Sequence, residues 1–221
     1  MTLDAPSHAV QDYAKAIYSL EQRTGGAVST NALAERLGVS PASVSAMIKR
    51  LDQLGLVRHE PYRGVRLTEK GVRVALEVLR HHRLLELYLA EELGMPWDRV
   101  HREAEVLEHV LSEELEQLIA EKLGHPTRDP HGDPIPTFDL RIDEPRTRAL
   151  DELEPGEEAV FTRISDENPD MLRYLRERGI APGDRVVMVR REPFGGPVVV
   201  RVSGREHPLG TELARAMRVA A

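Results

Sequence analysis

The stretch Val39–Gly71, VSPASVSAMIKRLDQLGLVRHEPYRGVRLTEKG, decides the N-terminal fold. Ser40 is a natural N-cap and Pro41 suits the first helical turn, where the missing amide hydrogen costs nothing. Val44, Ile48 and Leu51 then recur at helical spacing, and Gly55 stops the run. Just upstream, STNALAERLG carries a cap at Ser29 or Thr30 and a stop at Gly38. Two short helices across a tight turn, the second opening Ser-Pro, make a helix-turn-helix. Downstream, Leu56–His59 and Val65–Thr68 read as two short strands with Arg63-Gly64 at their turn. A hairpin in that position is a wing, and Arg58, Arg63 and Arg66 on or near it suit phosphates.

The same reading extends outward. Val10, Tyr13, Ala14, Ile17 and Leu20 predict a helix over 8–22, closed by Gly25-Gly26. A long helix is predicted from about Glu69 to Gly94, broken at Met95-Pro96, and another from about Asp98 to Leu123. GHPTRDPHGDPIPTFDL is rich in Pro and Gly and reads as an extended segment. After Arg146, the stretches EEAVFTRIS, DRVVMVRRE, PVVVRVSGR and AMRVA read as strands and NPDMLRYLRERG as a short helix, the pattern of a small barrel.

Charge follows this organisation. The chain of 221 residues carries a net charge of −7, yet residues 1–75 alone carry +3. A mildly basic N-terminal unit on an acidic remainder suits DNA binding joined to cation binding. No apolar run is long enough to span a membrane, and no secretory signal is visible, so a cytoplasmic protein is expected. With no cysteine, disulfides and thiolate ligands are excluded, and a metal site must be built from His, Asp, Glu, backbone or water.

The candidate for such a site is HREAEVLEHV, His101–Val110, with two histidines and three glutamates in ten residues. On one continuous helix, Ala104, Leu107, Leu111, Leu115 and Leu118 form a core stripe. His101, Glu105, Glu108 and His109 share the adjacent arc, about 100° wide. His101 with Glu105, Glu105 with His109, and His82 with Glu86 on the preceding helix are all i,i+4 pairs. A Glu/His-rich helix face is usually just solvated; the repetition on two neighbouring helices is what favours a metal. Leu84, Leu85, Leu87, Tyr88 and Leu115 are candidates for a dimer surface or for core, which spacing does not separate.

The sequence resembles the iron- and manganese-dependent regulators of the diphtheria toxin repressor family. DYAKAIYSL, VSPASVSAMIKRLDQLGLV, YRGVRLTEKG, RHHRLLELYLAEELG, HREAEVLEHVLSEELEQLI, HGDPIP and PGDRVVMV occur in the family's order and span nearly the whole chain. The resemblance implies a mainly α fold with α+β parts. These are a winged helix-turn-helix domain (1–73), a helical dimerisation and metal-binding domain (74–140) and an SH3-like (FeoA-like) β-barrel (141–221). It implies a non-enzymatic homodimer that binds a palindromic DNA operator when loaded with metal, repressing metal-uptake genes. The primary metal set it implies is Asp12, Glu105, Glu108 and His109. The second is His82, Glu86 and His101, completed by Glu167 and Asp170, with Asp166 competing. For DNA it points to Ser40, Pro41, Ala42, Ser43, Ser45, Ala46, Lys49 and Arg50 of the recognition helix, with Arg63 and Arg66 on the wing.

Lys15 stands where shorter two-domain manganese regulators carry a bridging glutamate. A lysine cannot bridge two cations, so two separated mononuclear sites are expected. Carboxylate and imidazole without sulfur suit Mn(II), with Fe(II) the main competitor and other divalent transition metals able to substitute in vitro. Two rivals are a winged-helix regulator sensing a small organic ligand and a metal-dependent hydrolase. The first predicts a ligand pocket and indifference to chelator. The second needs an open catalytic cleft, and the sequence has no nucleophile motif or phosphate loop.

Overall fold

The computed structural model describes residues 6–60, 64–143 and 146–220. Arg63, expected on the wing, lies outside them. The chain separates into two compact units. One comprises Met1–His81, Glu108–Leu111 and Pro136–Arg141; the other comprises His82–Leu107, Ser112–Ile135 and Ile142–Ala221.

The first unit holds α1 (His8–Thr24), α2 (Thr30–Leu37), α3 (Pro41–Gln53) and the hairpin β1 (Val57–Glu60) and β2 (Gly64–Leu67). Local chemistry sets the starts of α2 and α3. The Ser29 hydroxyl accepts from the Ala32 amide and the Ser40 hydroxyl from the Ser43 amide, while Gly38 ends α2 in the left-handed region. α1, α2, α3 and the wing share one apolar core in which Tyr13 and Ile17 meet Leu33, Val44, Ile48, Leu51 and Val65. In the wing Val57 pairs with Leu67, and Val28 adds a bridge to Val65. Gly64 is required there: its φ is +103°, and a Cβ would sit 2.7 Å from the Val28 carbonyl oxygen.

The helix α4 (Glu69–Glu91) follows, and the division between the units falls within it. The expected continuous helix from Asp98 to Leu123 is instead α5 (Val100–Leu107) and α6 (Glu113–Lys122), separated by a turn at Glu108–Val110. α6 has its own cap, the Ser112 hydroxyl accepting from the Leu115 amide, and three glutamates in its first turn. The wheel drawn through His101–Leu118 therefore fails. Ala104 is buried, but Leu107, Leu115 and Leu118 are exposed. Leu84, Leu85 and Leu87 are buried within the chain, so of the candidate dimer residues Leu115 is the exposed leucine.

The C-terminal part is a six-stranded antiparallel sheet in the order β3-β8-β4-β5-β6-β7. Its strands are β3 (Arg148–Ala149), β4 (Glu158–Arg163), β5 (Arg185–Arg191), β6 (Val198–Val202), β7 (Arg205–Leu209) and β8 (Arg218–Ala220). Register shifts at Phe161/Arg163 and Met188/Arg190 bend it. α7 (Pro169–Glu177) and α8 (Thr211–Ala216) pack Leu172, Leu175, Leu213 and Ala214 onto a core centred on Phe161, Met188 and Val200. No helix among the described residues is long and apolar enough to cross a membrane.

Candidate metal centre

In the first unit, Asp12, Glu108 and His109 bring one ligand atom each to within 4.8 Å of one another. His109 Nε2 lies 2.8 Å from Asp12 Oδ1 and 3.5 Å from Glu108 Oε1. The other ring nitrogen, Nδ1, is 2.7 Å from Gln11 Oε1. An amide oxygen only accepts, so Nδ1 carries the hydrogen and Nε2 is the atom turned to the carboxylates. The His8 ring stacks on His109 with centroids 4.8 Å apart. Glu108 is held from behind, because its backbone oxygen accepts from His81 Nδ1 at 3.1 Å. Its side chain is fully buried, and Lys15 Nζ donates to Oε1 at 2.6 Å. Gln11, His8 and His81 were not singled out from the sequence; α1 spacing puts Gln11 and His8 beside Asp12, but nothing in the pattern ties them to His109.

In the second unit, His82, Glu86, His101 and Asp166 converge. His82 Nε2 is 3.1 Å from both Glu86 Oε1 and His101 Nδ1, and His101 Nδ1 is 2.8 Å from Asp166 Oδ2. Glu105 Oε1 stands at the edge of this group, 3.9 Å from His82 Nδ1 and 3.8 Å from His101 Nε2. The turn at Glu108–Val110 breaks the i,i+4 relation that would have aligned Glu105 with His109. From the C-terminal part it is Asp166 that lies in this group. Glu167 and Asp170 are exposed, and Asp170 pairs with Arg173 at the start of α7. Asp166 follows Ile164, whose amide donates to the His131 backbone oxygen, and this places the loop.

His131 and Asp129, missed in the sequence, complete that neighbourhood. His131 Nε2 donates to the Trp97 carbonyl at 2.8 Å, and the two rings stack. Its Nδ1 therefore faces Glu86 Oε2, 3.6 Å away, and both atoms are buried without a hydrogen-bond partner. Buried polar atoms of this kind are costly unless a proton or cation satisfies them. Asp129 Oδ1 is already engaged, accepting from the His131 and Asp133 amides, so it braces the loop. Gly132 lets that loop close: its φ is +86°, and a Cβ would meet the Thr162 oxygen at 1.8 Å.

The electrostatics match. Burial pushes the Glu86 carboxyl up, but the His82 charge and its hydrogen bonds with His101 and His82, with the His131 ring close by, outweigh it and hold the group well below its usual range. Burial opposes charge on His101 and His131, yet Asp166 and Glu86 raise His101 to about 9, and Glu86, Asp129 and Asp166 raise His131 to about 9. Asp166 is lowered by His101 and His82 against its own burial. Asp129 is raised, chiefly by burial and then by the Glu86 and Asp133 charges. The second set thus holds positive charge tightly, as a cation site does, and its nitrogen and oxygen donors fit a divalent transition metal.

On the DNA side, Ser40, Pro41, Ala42, Ser43, Ser45, Ala46, Lys49 and Arg50 are all exposed on α3, and Arg66 is exposed on β2. The serines have local duties as well. Ser40 and Ser43 hydroxyls lie 2.9 Å apart, and Ser45 donates to the Pro41 oxygen. A cleft of about 600 Å³ beside the wing is lined by Arg58 and Arg66 among others, cationic rather than apolar.

Comparison with known proteins gives a continuous set of matches. Residues 7–65 match the iron dependent repressor N-terminal DNA binding domain and 68–137 the iron dependent repressor metal binding and dimerisation domain, while 148–221 match the FeoA domain. The iron-dependent repressor IdeR of Mycobacterium tuberculosis is 37% identical over 221 residues, covering 94% of each chain. The chain belongs to the diphtheria toxin repressor family. It is a metal-dependent, DNA-binding transcriptional repressor with a winged-helix domain, a helical dimerisation domain and a C-terminal FeoA domain. The diphtheria toxin repressor of Corynebacterium diphtheriae is 31% identical over 218 residues, covering 94% of each chain. A manganese-dependent transcriptional repressor in complex with manganese superposes on this repressor with a TM-score of 0.88, at 43% identity, covering 96% of this chain and 99% of that one. ScaR with bound Zn2+ superposes with a TM-score of 0.79, at 29% identity, covering 96% and 98%.

Proposed function

We propose that this repressor is a Mn(II)-activated homodimer that binds a palindromic operator and represses metal-uptake genes, with Fe(II) able to take the same sites. The three functional parts divide near residues 73 and 140. The first ion is held by Asp12, Glu108 and His109. The second is held by His82, Glu86, His101 and Asp166, with His131 Nδ1 as an added donor in place of the exposed Glu167 and Asp170.

The observation that carries the reading is that Asp12 sits on α1 while its partners Glu108 and His109 come from a turn 96 and 97 positions along the chain. α1 shares its core with the recognition helix α3. A divalent cation there supplies charge that neutralises the carboxylates and favours the arrangement in which they meet. Gln11 fixes the His109 tautomer, His81 holds the turn, and the shared core passes the position of α1 to α3. This is a population shift toward a DNA-competent state. In a dimer the two α3 helices then read successive major-groove faces about 34 Å apart. Lys49, Arg50, Arg58 and Arg66 meet phosphates, and the α3 N-terminal residues approach base edges. Exposed Val106, Leu107, Leu115 and Leu118 supply an apolar face for the dimer.

The test is to recover sheared genomic DNA on the immobilised protein with Mn(II) or with EDTA and to sequence it. A shared palindrome enriched only with Mn(II) supports the reading. Equal recovery in both conditions overturns it.

A further inference from the structure

The Trp97–Asp98 turn lies between α4 and α5 and belongs to neither ligand cluster, yet it grips both segments that bring loop donors to the second one. Trp97 is the chain's one tryptophan; its ring stacks on His131 with centroids 5.6 Å apart and packs against the C-terminal core. Its carbonyl accepts from His131 Nε2 at 2.8 Å. Asp98 meets α7 instead. Its Oδ1 is 3.2 Å from Arg176 Nε and its Oδ2 is 3.6 Å from Arg173 Nε. The two arginines are three positions apart, on one side of the helix. The Asp98 side chain is 2% exposed and no hydrogen bond reaches Oδ1, so the two guanidinium charges are what compensate a buried carboxylate there.

These contacts close a ring around Asp166. On one side of it the Ile164 amide donates to the His131 backbone oxygen. On the other, Asn168 caps α7, its side chain accepting from the Asp170 and Met171 amides. Both anchors lead back to the same turn, His131 through Trp97 and α7 through Asp98. His101 also follows that turn directly, at the start of α5. Three donors of the second cluster, His101, His131 and Asp166, are thus placed from one turn, whereas His82 and Glu86 are placed by α4.

We infer that Asp98 is a positioning residue for the second site, acting through Arg173 and Arg176 to fix α7 and, with it, the Asp166 carboxylate. This rests on the reading of His82, Glu86, His101 and Asp166 as a metal site. A donor on a loop must be held within about 0.5 Å of its productive place to serve a site well. A loose Asp166 would be ordered only when an ion arrives, and that ordering would weaken binding. The Asp98 clamp restricts the loop beforehand. It does so with charge rather than apolar packing, on the side of α7 whose arginines are half-exposed.

The experiment measures Mn(II) binding to the full-length protein by equilibrium dialysis. Every protein compared carries D12A and H109A, which remove two of the three donors of the first site, and circular dichroism shows that each is folded. If this parent binds no Mn(II), the second cluster is not a metal site and the inference falls with that reading. Given binding by the parent, D98N is expected to weaken the ion roughly 10–100-fold, because it keeps the shape of the side chain and removes its charge. R173Q/R176Q attacks the same pair from its exposed side and is expected to have the same effect, so the test survives if D98N does not fold. Adding D166A decides the route. With Asp166 gone, neither D98N nor R173Q/R176Q should weaken the ion further, the non-additivity expected when two residues act as a unit. A merely structural Asp98 would instead lower affinity equally with and without Asp166, and that result overturns the inference while leaving the metal site intact. Unchanged affinity in both D98N and R173Q/R176Q overturns it as well.

Discussion

His131 Nδ1 and Glu86 Oε2 face each other across 3.6 Å, both buried and both without a hydrogen-bond partner. The Trp97 carbonyl takes the hydrogen on the far side of the ring, so the facing nitrogen is directed at the same carboxylate that His82 and His101 approach through its other oxygen. Glu86 is the hub of the second site, and His131 is the donor that no helical spacing reveals. H131A is expected to weaken the second ion by more than the roughly 10–100-fold typical of changes outside the ligand shell, leaving the first ion's affinity unchanged. Calorimetry of the variant against wild type checks this. Equal binding of both ions would make His131 a structural histidine satisfied by a proton.

The first site predicts a different separation. D12A removes the α1 carboxylate from His109 Nε2, and it lies at a half-exposed position, so folding is retained. Metal-dependent operator binding is expected to be lost, with a thermal midpoint near that of the metal-free wild type. Q11A removes only the acceptor that orients His109, and its affinity for the first ion should fall by roughly 10–100-fold. A gel-shift titration with Mn(II) reads both. D12A protein that still binds operator only with metal would show that coupling runs by another route.

How much of this was legible depends on the range over which each signal acts. The helix-turn-helix was readable because Ser40, Pro41 and Gly38 act within one turn of themselves. β7 was not, because Pro208 and the exposed polar residues before it give an edge strand little apolar signal. The i,i+4 pair His82/Glu86 is a local relation and meets as spaced. The wheel through His101–Leu118 misled because it assumed continuity past Glu108, although Ser112 followed by two glutamates was an available helix-start signal. Asp166 and His131 reach the second site from loops held by the Ile164–His131 hydrogen bond and by the fit of Gly132 against Thr162. Such placement depends on tertiary contacts, which periodicity does not encode.

Protonation gives a signed prediction for the metal-free repressor. His101 and His131 are raised from 6.5 to about 9, so the folded state binds their protons more tightly than the unfolded chain does. Their contribution to stability is full below pH 6.5 and is lost as pH rises through about 9. Glu86 and Asp166 are lowered, so their contribution is present above the ordinary carboxylate range and lost as pH falls through their depressed values. The melting temperature in EDTA is therefore expected to fall between pH 6.5 and 9. Metal and imidazole protons compete for the same nitrogens, so the added stability conferred by Mn(II) should grow over that interval. Thermal melts across this range, with and without Mn(II), measure both trends. A flat EDTA curve would mean that neither histidine carries a proton in the folded state.

The exposed apolar side chains of α5 and α6 make the last prediction. Val106 and Leu118 are 68% and 54% exposed, at positions where a lone folded chain gains nothing from them. Burying such side chains against a second copy contributes about 25 cal/mol per Å² of apolar surface removed from water. L118E places a charge on that face while leaving the chain's own core untouched, since Ile119 and Ala120 fill the inner side of α6. The variant is expected to keep its helical content and both metal ions, to run as a monomer in light scattering coupled to size exclusion, and to lose operator affinity by more than tenfold. The affinity loss follows from geometry: two half-sites on one palindrome are gripped together only when the two reading heads are joined. A dimeric L118E protein that binds operator normally would place the dimer face elsewhere on the chain.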